Sequence, residues 1–286
     1  MRIIGLTNSL KCLYSKMTKI IAEIGWNHQG DISLAKEMIV AASENGADFV
    51  KFQTWFEKDL KPGEWDNDGR REIYKKAQLT FEQHFELFDF SKKNNVIFFT
   101  SLFNENYVDE LAQISNEYIK IPSMEAHDFD LILKSADKFK NIFISTGATY
   151  KKELINLVNL LNTIKKSKVV IFHCVSSYPT KAENINLRRI HHLKKIFSNV
   201  GYSGHYPNIH DAVMSLPFGV SHIEKHFTID NKLPGRDNLF SILPSQLKEL
   251  KIFIEEYKKM SLDHGIEMQE VETQVFQNYR GRWKND

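Results

Sequence analysis

The chain has 286 residues, 42% hydrophobic and 26% charged, the composition of a globular protein with a sizeable core. A formal net charge of +2 gives no electrostatic reason to expect nucleic acid or an anionic membrane as partner. Two cysteines, Cys12 and Cys174, make no disulfide framework and point to a reducing compartment, the cytoplasm, and no stretch approaches the ~20 apolar residues of a membrane span.

The first segment, MRIIGLTNSLKCLYSK, is basic and free of acids. Two readings stay open: a transit peptide, or an extension upstream of a start at Met17. Either way residues 1–18 stand apart from the rest of the chain. From residue 19 on, short apolar runs alternate with helical patterns. KIIAEIG (19–25) precedes DISLAKEMIVAASENG (31–46), whose Leu34, Met38, Ile39 and Ala42 share one helical face. ADFVKFQ (47–53) leads through a long polar loop to the helical pattern at 80–95. VIFFTS (96–101), EYIKIPS (117–123), NIFISTG (141–147), KVVIFHCV (168–175), NVGYSGH (199–205) and SHIEKHF (221–227) come next, each ahead of another helical pattern. Parallel strands need crossover helices, and eight strand–helix units over ~250 residues predict a closed (β/α)8 TIM barrel, with a doubly wound open sheet as the alternative. The barrel is expected over 19–262, with 263–286 as a C-terminal tail; no composition shift marks a second domain.

In such barrels the site lies at the carboxyl ends of the strands. Every predicted strand here delivers a polar group near that end. Glu23 comes from the first, Lys51 and Gln53 from the second, and Thr100 and Ser101 from the third. Lys120, Ser123 and Glu125 come from the fourth, Ser145 and Thr146 from the fifth, and His173 from the sixth. Ser203 and His205 come from the seventh, Glu224 and His226 from the eighth. Strand side chains alternate faces, so Glu224 and His226 point one way and Lys225 the other. Two lysines with several hydroxyls suit a small, highly charged anion. His205 and His226 on adjacent strands suit a divalent metal with open positions, though core hydrogen bonding by each ring explains them equally well. Lys51 and Lys120 paired structurally with Glu23 and Glu125 is the plainer alternative to an anion clamp. His191 and His192 lie in a basic helix and read as a solvated face. LPGRDN (233–238) is either a plain turn or a cover for the mouth.

Taken together, IAEIGWNHQGD, GADFVKFQTW, YIKIPSME, STGAT, FHCVSSYPT, GYSGH and IEKHFTID…LPGRD resemble the sialic acid synthase family, in order and spacing, from residue 20 to about 250. The resemblance implies condensation of phosphoenolpyruvate with an N-acetylated amino sugar of the N-acetylmannosamine type, giving a nonulosonic acid and phosphate. It implies a divalent metal, Mn2+ or Mg2+, on His205 and His226. Lys51, Ser101 and Lys120, with Gln53 nearby, are then expected at the phosphoenolpyruvate carboxylate, and Ser123, Ser145 and Ser203, with Ser176, at its phosphate. Glu23, Tyr178 and Asp237 are expected at the open-chain sugar. Glu23, Glu125 and His173 are the candidate catalytic groups, with Glu125 handling the attacking water. The chain also departs from the family pattern. Pro122-Ser123 stands where a Gly-Ser pair is usual, Gly204 where strand seven often carries an acid, and Lys225 where strand eight usually has arginine. The small antifreeze-like domain that supplies an arginine to the sugar site is not expected within these residues, and Arg280 and Arg282 are the candidate substitutes. A homodimer, a separate partner carrying the cap, and an inactive relative that binds sugar or phosphoenolpyruvate stay open as alternatives.

Overall fold

A computed structural model describes residues 17–283. Residues 1–16 of the expected N-terminal extension (1–18) lie outside the described residues, as does Cys12. Eight parallel strands close into a barrel in chain order: β1 (Lys19–Gly25), β2 (Phe49–Thr54), β3 (Ile97–Leu102), β4 (Tyr118–Ile121), β5 (Asn141–Ser145), β6 (Lys168–His173), β7 (Val200–Gly204) and β8 (His222–His226). The first and last pair in register, with Ile21 opposite Glu224 and Glu23 opposite His226, so the sheet has no free edge among these strands. The open-sheet alternative is thereby excluded.

Helices α1 (Ile32–Glu44), α3 (Phe81–Lys93), α4 (Val108–Ile114), α5 (Phe129–Lys138), α6 (Lys151–Leu161), α7 (Arg188–Lys194), α8 (His210–Ser215) and α9 (Pro244–Met260) come after successive strands, with α2 (Arg70–Ala77) inserted before α3. Their starts are written locally. Asp31 caps α1 by accepting from the Ser33 and Leu34 amides, and Thr80 and Gln83 form a reciprocal capping box on α3. The apolar stripe of α1 (Ala35, Met38, Ile39, Ala42) is fully buried against the outer face of the barrel.

Inside the barrel, alternation sorts the residues into layers. Ile21, Phe49, Phe99, Phe143, Val170 and Phe172 form a separate apolar cluster with Tyr118. Its rings meet edge to face, Phe49–Phe99 at 5.8 Å and Phe99–Phe143 at 5.5 Å, contacts worth about 0.5–1.5 kcal/mol each beyond area burial. This plug closes the amino-terminal half, so the polar residues above it line a cup rather than a pore.

The structure differs from expectation in three places. Strand four stops at Ile121 because Pro122 has no N–H to continue the ladder. The polar loop after β2 holds two 3-10 turns and α2, docked by the Trp55 indole N–H donating to the Tyr74 carbonyl at 3.1 Å. The tail contains a short helix, α10 (Thr273–Asn278), on which Val275 and Phe276 are exposed. Arg280 and Arg282 lie over Phe276 and Tyr279 of the tail itself. Among the described residues no helix is long and apolar enough to cross a membrane.

Candidate active site

The lumen-facing register carries Glu23, Lys51, Ser101, Lys120, Ser145, Ser203, Glu224 and His226 to the carboxyl-end mouth, all of them buried. Four of these form a charge cluster. Lys51 Nζ lies 2.8 Å from Glu23 Oε2 and 3.9 Å from Glu224 Oε1, and it donates to Ser101 Oγ at 2.8 Å. Lys120 Nζ donates to Glu224 Oε2 at 3.0 Å and sits over the Phe172 ring. Ser203 Oγ donates to the other Glu224 oxygen at 3.0 Å. The Lys51–Glu23 pairing agrees with the structural alternative read from the sequence. The Lys120–Glu125 pairing is corrected: the partner of Lys120 is Glu224. Sequence reasoning gave Glu224 a place in the ring, through the strand face it shares with His226, but no role.

The two carboxylates titrate oppositely. Burial would raise Glu224, but Lys120 and Lys51 on either side hold it well below the usual carboxylate range. Burial raises Glu23, against the pull of Lys51 and helped by the charge of Glu224. Two ammonium groups therefore face one firmly ionised carboxylate and one that protonates readily, an environment receptive to an anion. Gly25, at φ +55°, lets the chain bend where a Cβ would crowd both Gln53 Nε2 at 3.1 Å and Glu23 Oε1 at 3.2 Å, and Gln53 Nε2 donates to Glu23 Oε1.

Beside this cluster lies a hydroxyl-lined cradle. Ser123 Oγ accepts from the Gly147 amide at 3.0 Å and lies 3.0 Å from Cys174 Sγ. A Cβ on Gly147 would come within 2.4 Å of Ser176 Oγ and 2.8 Å of Cys174 Sγ, so only glycine keeps the space between these groups open. Ser145 ends β5 just ahead of this turn. Glu125 closes a 3-10 turn at Ser123–Glu125; it is half-buried and burial raises its carboxyl, with His127 opposing.

The histidine pair is brought together. The His205 and His226 ring centroids are 5.5 Å apart. His205 Nδ1 lies 2.8 Å from the Val175 carbonyl, which can only accept, so Nδ1 carries the proton and Nε2 keeps its lone pair. Burial lowers the pKa of both rings, His205 to about 4, so both are neutral at pH 7. His226 Nδ1 is 3.3 Å from Asp237 Oδ2 without the alignment of a hydrogen bond, which leaves a buried ring nitrogen without a partner. Two neutral imidazoles and an orphaned nitrogen fit a divalent cation. No cluster of three or more His, Cys, Asp or Glu side chains forms a cage among the described residues, so any such site keeps open positions. The loop after β8 covers the mouth, the second of its two expected roles: Arg236 pairs with Asp68 at 3.2 Å, and Asp237 is buried. Burial, then Glu23, pushes the Asp237 carboxyl up to about 7. The ring of Tyr178 lies 4.3 Å from His205.

His173 is not brought to the site. It comes directly after lumen-facing Phe172, so its side chain leaves through the outer face, where Nε2 donates to the Ile185 carbonyl at 2.9 Å and the ring packs on Tyr202. The expectation of a catalytic His173 is corrected to a buried core histidine. The acid expected but lacking at position 204 also has an explanation. Asp211, from α8, fills that space: a Cβ on Gly204 would lie 2.1 Å from Asp211 Oδ2. Lys225, on the outer face of β8, donates to both Asp211 oxygens at 2.9 Å.

A closed parallel barrel whose carboxyl-end mouth gathers buried lysines, hydroxyls, acids and paired imidazoles has the architecture of an enzyme of the barrel class. The NeuB family profile matches residues 38–265, and the chain belongs to that family. It is 34% identical over 258 residues to the N,N'-diacetyllegionaminic acid synthase of Campylobacter jejuni, covering 85% of this chain and 77% of that protein. It is 32% identical over 274 residues to the pseudaminic acid synthase of Helicobacter pylori, covering 92% and 80%. The crystal structure of the N-acetylneuraminic acid synthetase of Leptospira borgpetersenii, in complex with citrate, superposes with a TM-score of 0.84 at 30% identity, over 96% of this chain and 95% of that one.

Proposed function

We propose that this enzyme condenses phosphoenolpyruvate with an open-chain N-acetylated amino sugar of the mannosamine type, giving a nonulosonic acid and phosphate. The observation that carries the reading is the Lys51–Lys120 pair, buried in one lumen with Ser101, Ser203 and the Gly147 cradle, beside two neutral histidines. Lys51, Ser101 and Lys120, with Gln53, hold the carboxylate; both lysines keep N–H groups beyond those spent on Glu23 and Glu224. Ser123, Ser145 and Ser203 take the phosphate, where the Gly147 turn leaves room. Glu23, Tyr178 and Asp237 hold the acceptor's hydroxyls, and with pKa values raised by burial both acids donate as well as accept near neutral pH.

His205 and His226 hold a divalent ion, Mn2+ or Mg2+, which when bound supplies Lewis-acid polarisation of the acceptor's carbonyl. With the two substrates held against each other, the C2–C3 π pair of phosphoenolpyruvate forms a bond from C3 to the aldehyde carbon, and the aldehyde oxygen takes a proton from Asp237, the acid beside His226 whose carboxyl burial pushes up to about 7. The cation developing at C2 is stabilised by Glu224, the carboxylate that stays ionised. Water adds at C2, and Glu125, half-buried at the rim, takes its proton. Collapse expels phosphate with cleavage of the C–O bond and leaves a 2-keto-3-deoxy acid. The test is phosphate release by the purified chain with Mn2+ across a panel of N-acetylated mannosamine-type sugars. Release that requires both sugar and metal is expected; metal-replete protein that releases none with any sugar contradicts the reading.

A further inference from the structure

Behind the two histidines, on the outer face of the barrel, lies a fully paired polar knot. Lys225, Asp211 and Tyr202 are each no more than 2% exposed. Lys225 Nζ donates to both Asp211 oxygens at 2.9 Å and to the Tyr206 carbonyl at 2.7 Å. Tyr202 Oη donates to Asp211 Oδ2 at 2.8 Å, and the Ala212 amide to Oδ1 at 2.8 Å. None of these groups faces the lumen. A buried ion pair is weak evidence for stability, because packed apolar side chains of similar volume commonly do as well. Its position is more informative than its strength.

Lys225 is the residue immediately before His226, and the carbonyl it holds belongs to the residue immediately after His205. Asp211 presses on the backbone at Gly204, where a Cβ would come within 2.1 Å of its carboxylate. The His205 carbonyl accepts from the Thr180 amide at 3.0 Å. The backbone at 204, 205 and 206 is thus gripped at three successive residues, and one ammonium ties that segment to the strand carrying His226. Two imidazole nitrogens can share one ion only if both reach ~2.1 Å from a common point, so drift of either strand end is costly.

We propose that the Asp211–Lys225 pair, with Tyr202 behind it, is a positioning device that sets the spacing of His205 and His226 and thereby the affinity of the site for a divalent cation. The proposal rests on the reading of those histidines as the metal pair. It assigns Asp211, Lys225 and Tyr202 no contact with substrate or metal. Outer residues that orient metal ligands commonly change affinity by about 10–100-fold when altered.

The experiment is titration of the purified full chain with Mn2+ alone, read by the loss of free-ion electron paramagnetic resonance signal and paired with thermal melts. Wild type and His226→Ala come first: equal Mn2+ binding by the two removes the metal pair itself, separately from the clamp. Given a histidine-dependent site, Asp211→Asn and Lys225→Met weaken Mn2+ by about 10–100-fold. Leu161→Ala, a core truncation on α6, lowers the melting temperature and leaves the Mn2+ dissociation constant unchanged. If the two charge variants do not fold, Tyr202→Phe decides; it shows a smaller weakening in the same direction with little change in melting temperature. A dissociation constant that stays at the wild-type value in the folded variants overturns the proposal and leaves the knot a structural ion pair.

Discussion

Replacing Lys120 by methionine separates what this lysine does for folding from what it does for the substrate. The Lys120–Glu224 contact is 3.0 Å, and both side chains are almost wholly buried. At an effective dielectric of about 20, Coulomb attraction at that distance is about 5.5 kcal/mol, most of it offset by desolvation of the two ions. Removing one partner strands the other, and the expected loss is ~3–4 kcal/mol, near the low end for buried pairs because Lys51 still stands 3.9 Å from Glu224. For a chain of this size that is a fall in melting temperature of roughly 6–12 °C. The double variant Lys120→Met with Glu224→Leu removes both charges, and most of that stability returns. Phosphoenolpyruvate affinity behaves differently: a charge-assisted bond of ~1.5–3 kcal/mol is lost, so KM rises about 10–150-fold in the single variant and stays high in the double. The assay is a thermal melt beside steady-state phosphate release for all three proteins. Recovery of KM along with stability in the double variant would rule out a substrate role, since Lys120 would then be a structural partner of Glu224 and nothing more.

His226→Ala removes one of the two proposed metal ligands, so metal-dependent turnover is lost and Mn2+ binding weakens by two orders of magnitude or more, on the order of 3 kcal/mol; unimpaired turnover in this variant excludes the metal pair. Gly147→Ala fills the cradle between Ser123, Cys174 and Ser176; the expected result is a roughly tenfold rise in KM for phosphoenolpyruvate, the worth of about one neutral hydrogen bond, with kcat less affected. Asp237 makes stability pH-dependent. Its folded pKa, about 7, is raised above the unfolded value, so its protonated form stabilises the fold fully below about pH 4 and that contribution is lost as pH rises toward 7. In chelator, wild type should lose up to about 4 kcal/mol relative to Asp237→Asn across that window, and parallel melting curves for the two proteins exclude the raised carboxyl.

Much of this could be read from the sequence, because barrel strands place every second side chain in the lumen. Lys51 and Gln53, or Glu224 and His226, are two apart, and their common face is set by that spacing alone. What failed, failed on parity or on distance along the chain. In KVVIFHCV both faces are apolar up to His173, so nothing in the string says whether Phe172 or His173 looks inward; the plug formed by Phe172 with Phe143 decides it. Asp211 reaches Gly204 from a helix, a pairing that no strand spacing encodes. Helix α2 was hidden because the apolar face of RREIYKKA is only Ile73, Tyr74 and Ala77, too short to stand out within a polar loop, and it is held by docking on Trp55. Glu125 and Lys120 looked like partners because they are close in sequence, whereas the closed barrel sets Lys120 opposite a strand about a hundred residues later.

Coupling of carbon–carbon bond formation at this mouth to C–O cleavage of phosphoenolpyruvate is decided by substrate labelled with 13C at C3 and with 18O in the bridging oxygen. With Mn2+ and the acceptor sugar identified in the panel, the 13C resonance should move to a methylene of a 2-keto-3-deoxy acid, and the released phosphate should carry the 18O. Appearance of the 13C label in pyruvate, with the 18O retained on carbon, would mean simple hydrolysis at phosphorus and contradict the proposed reaction.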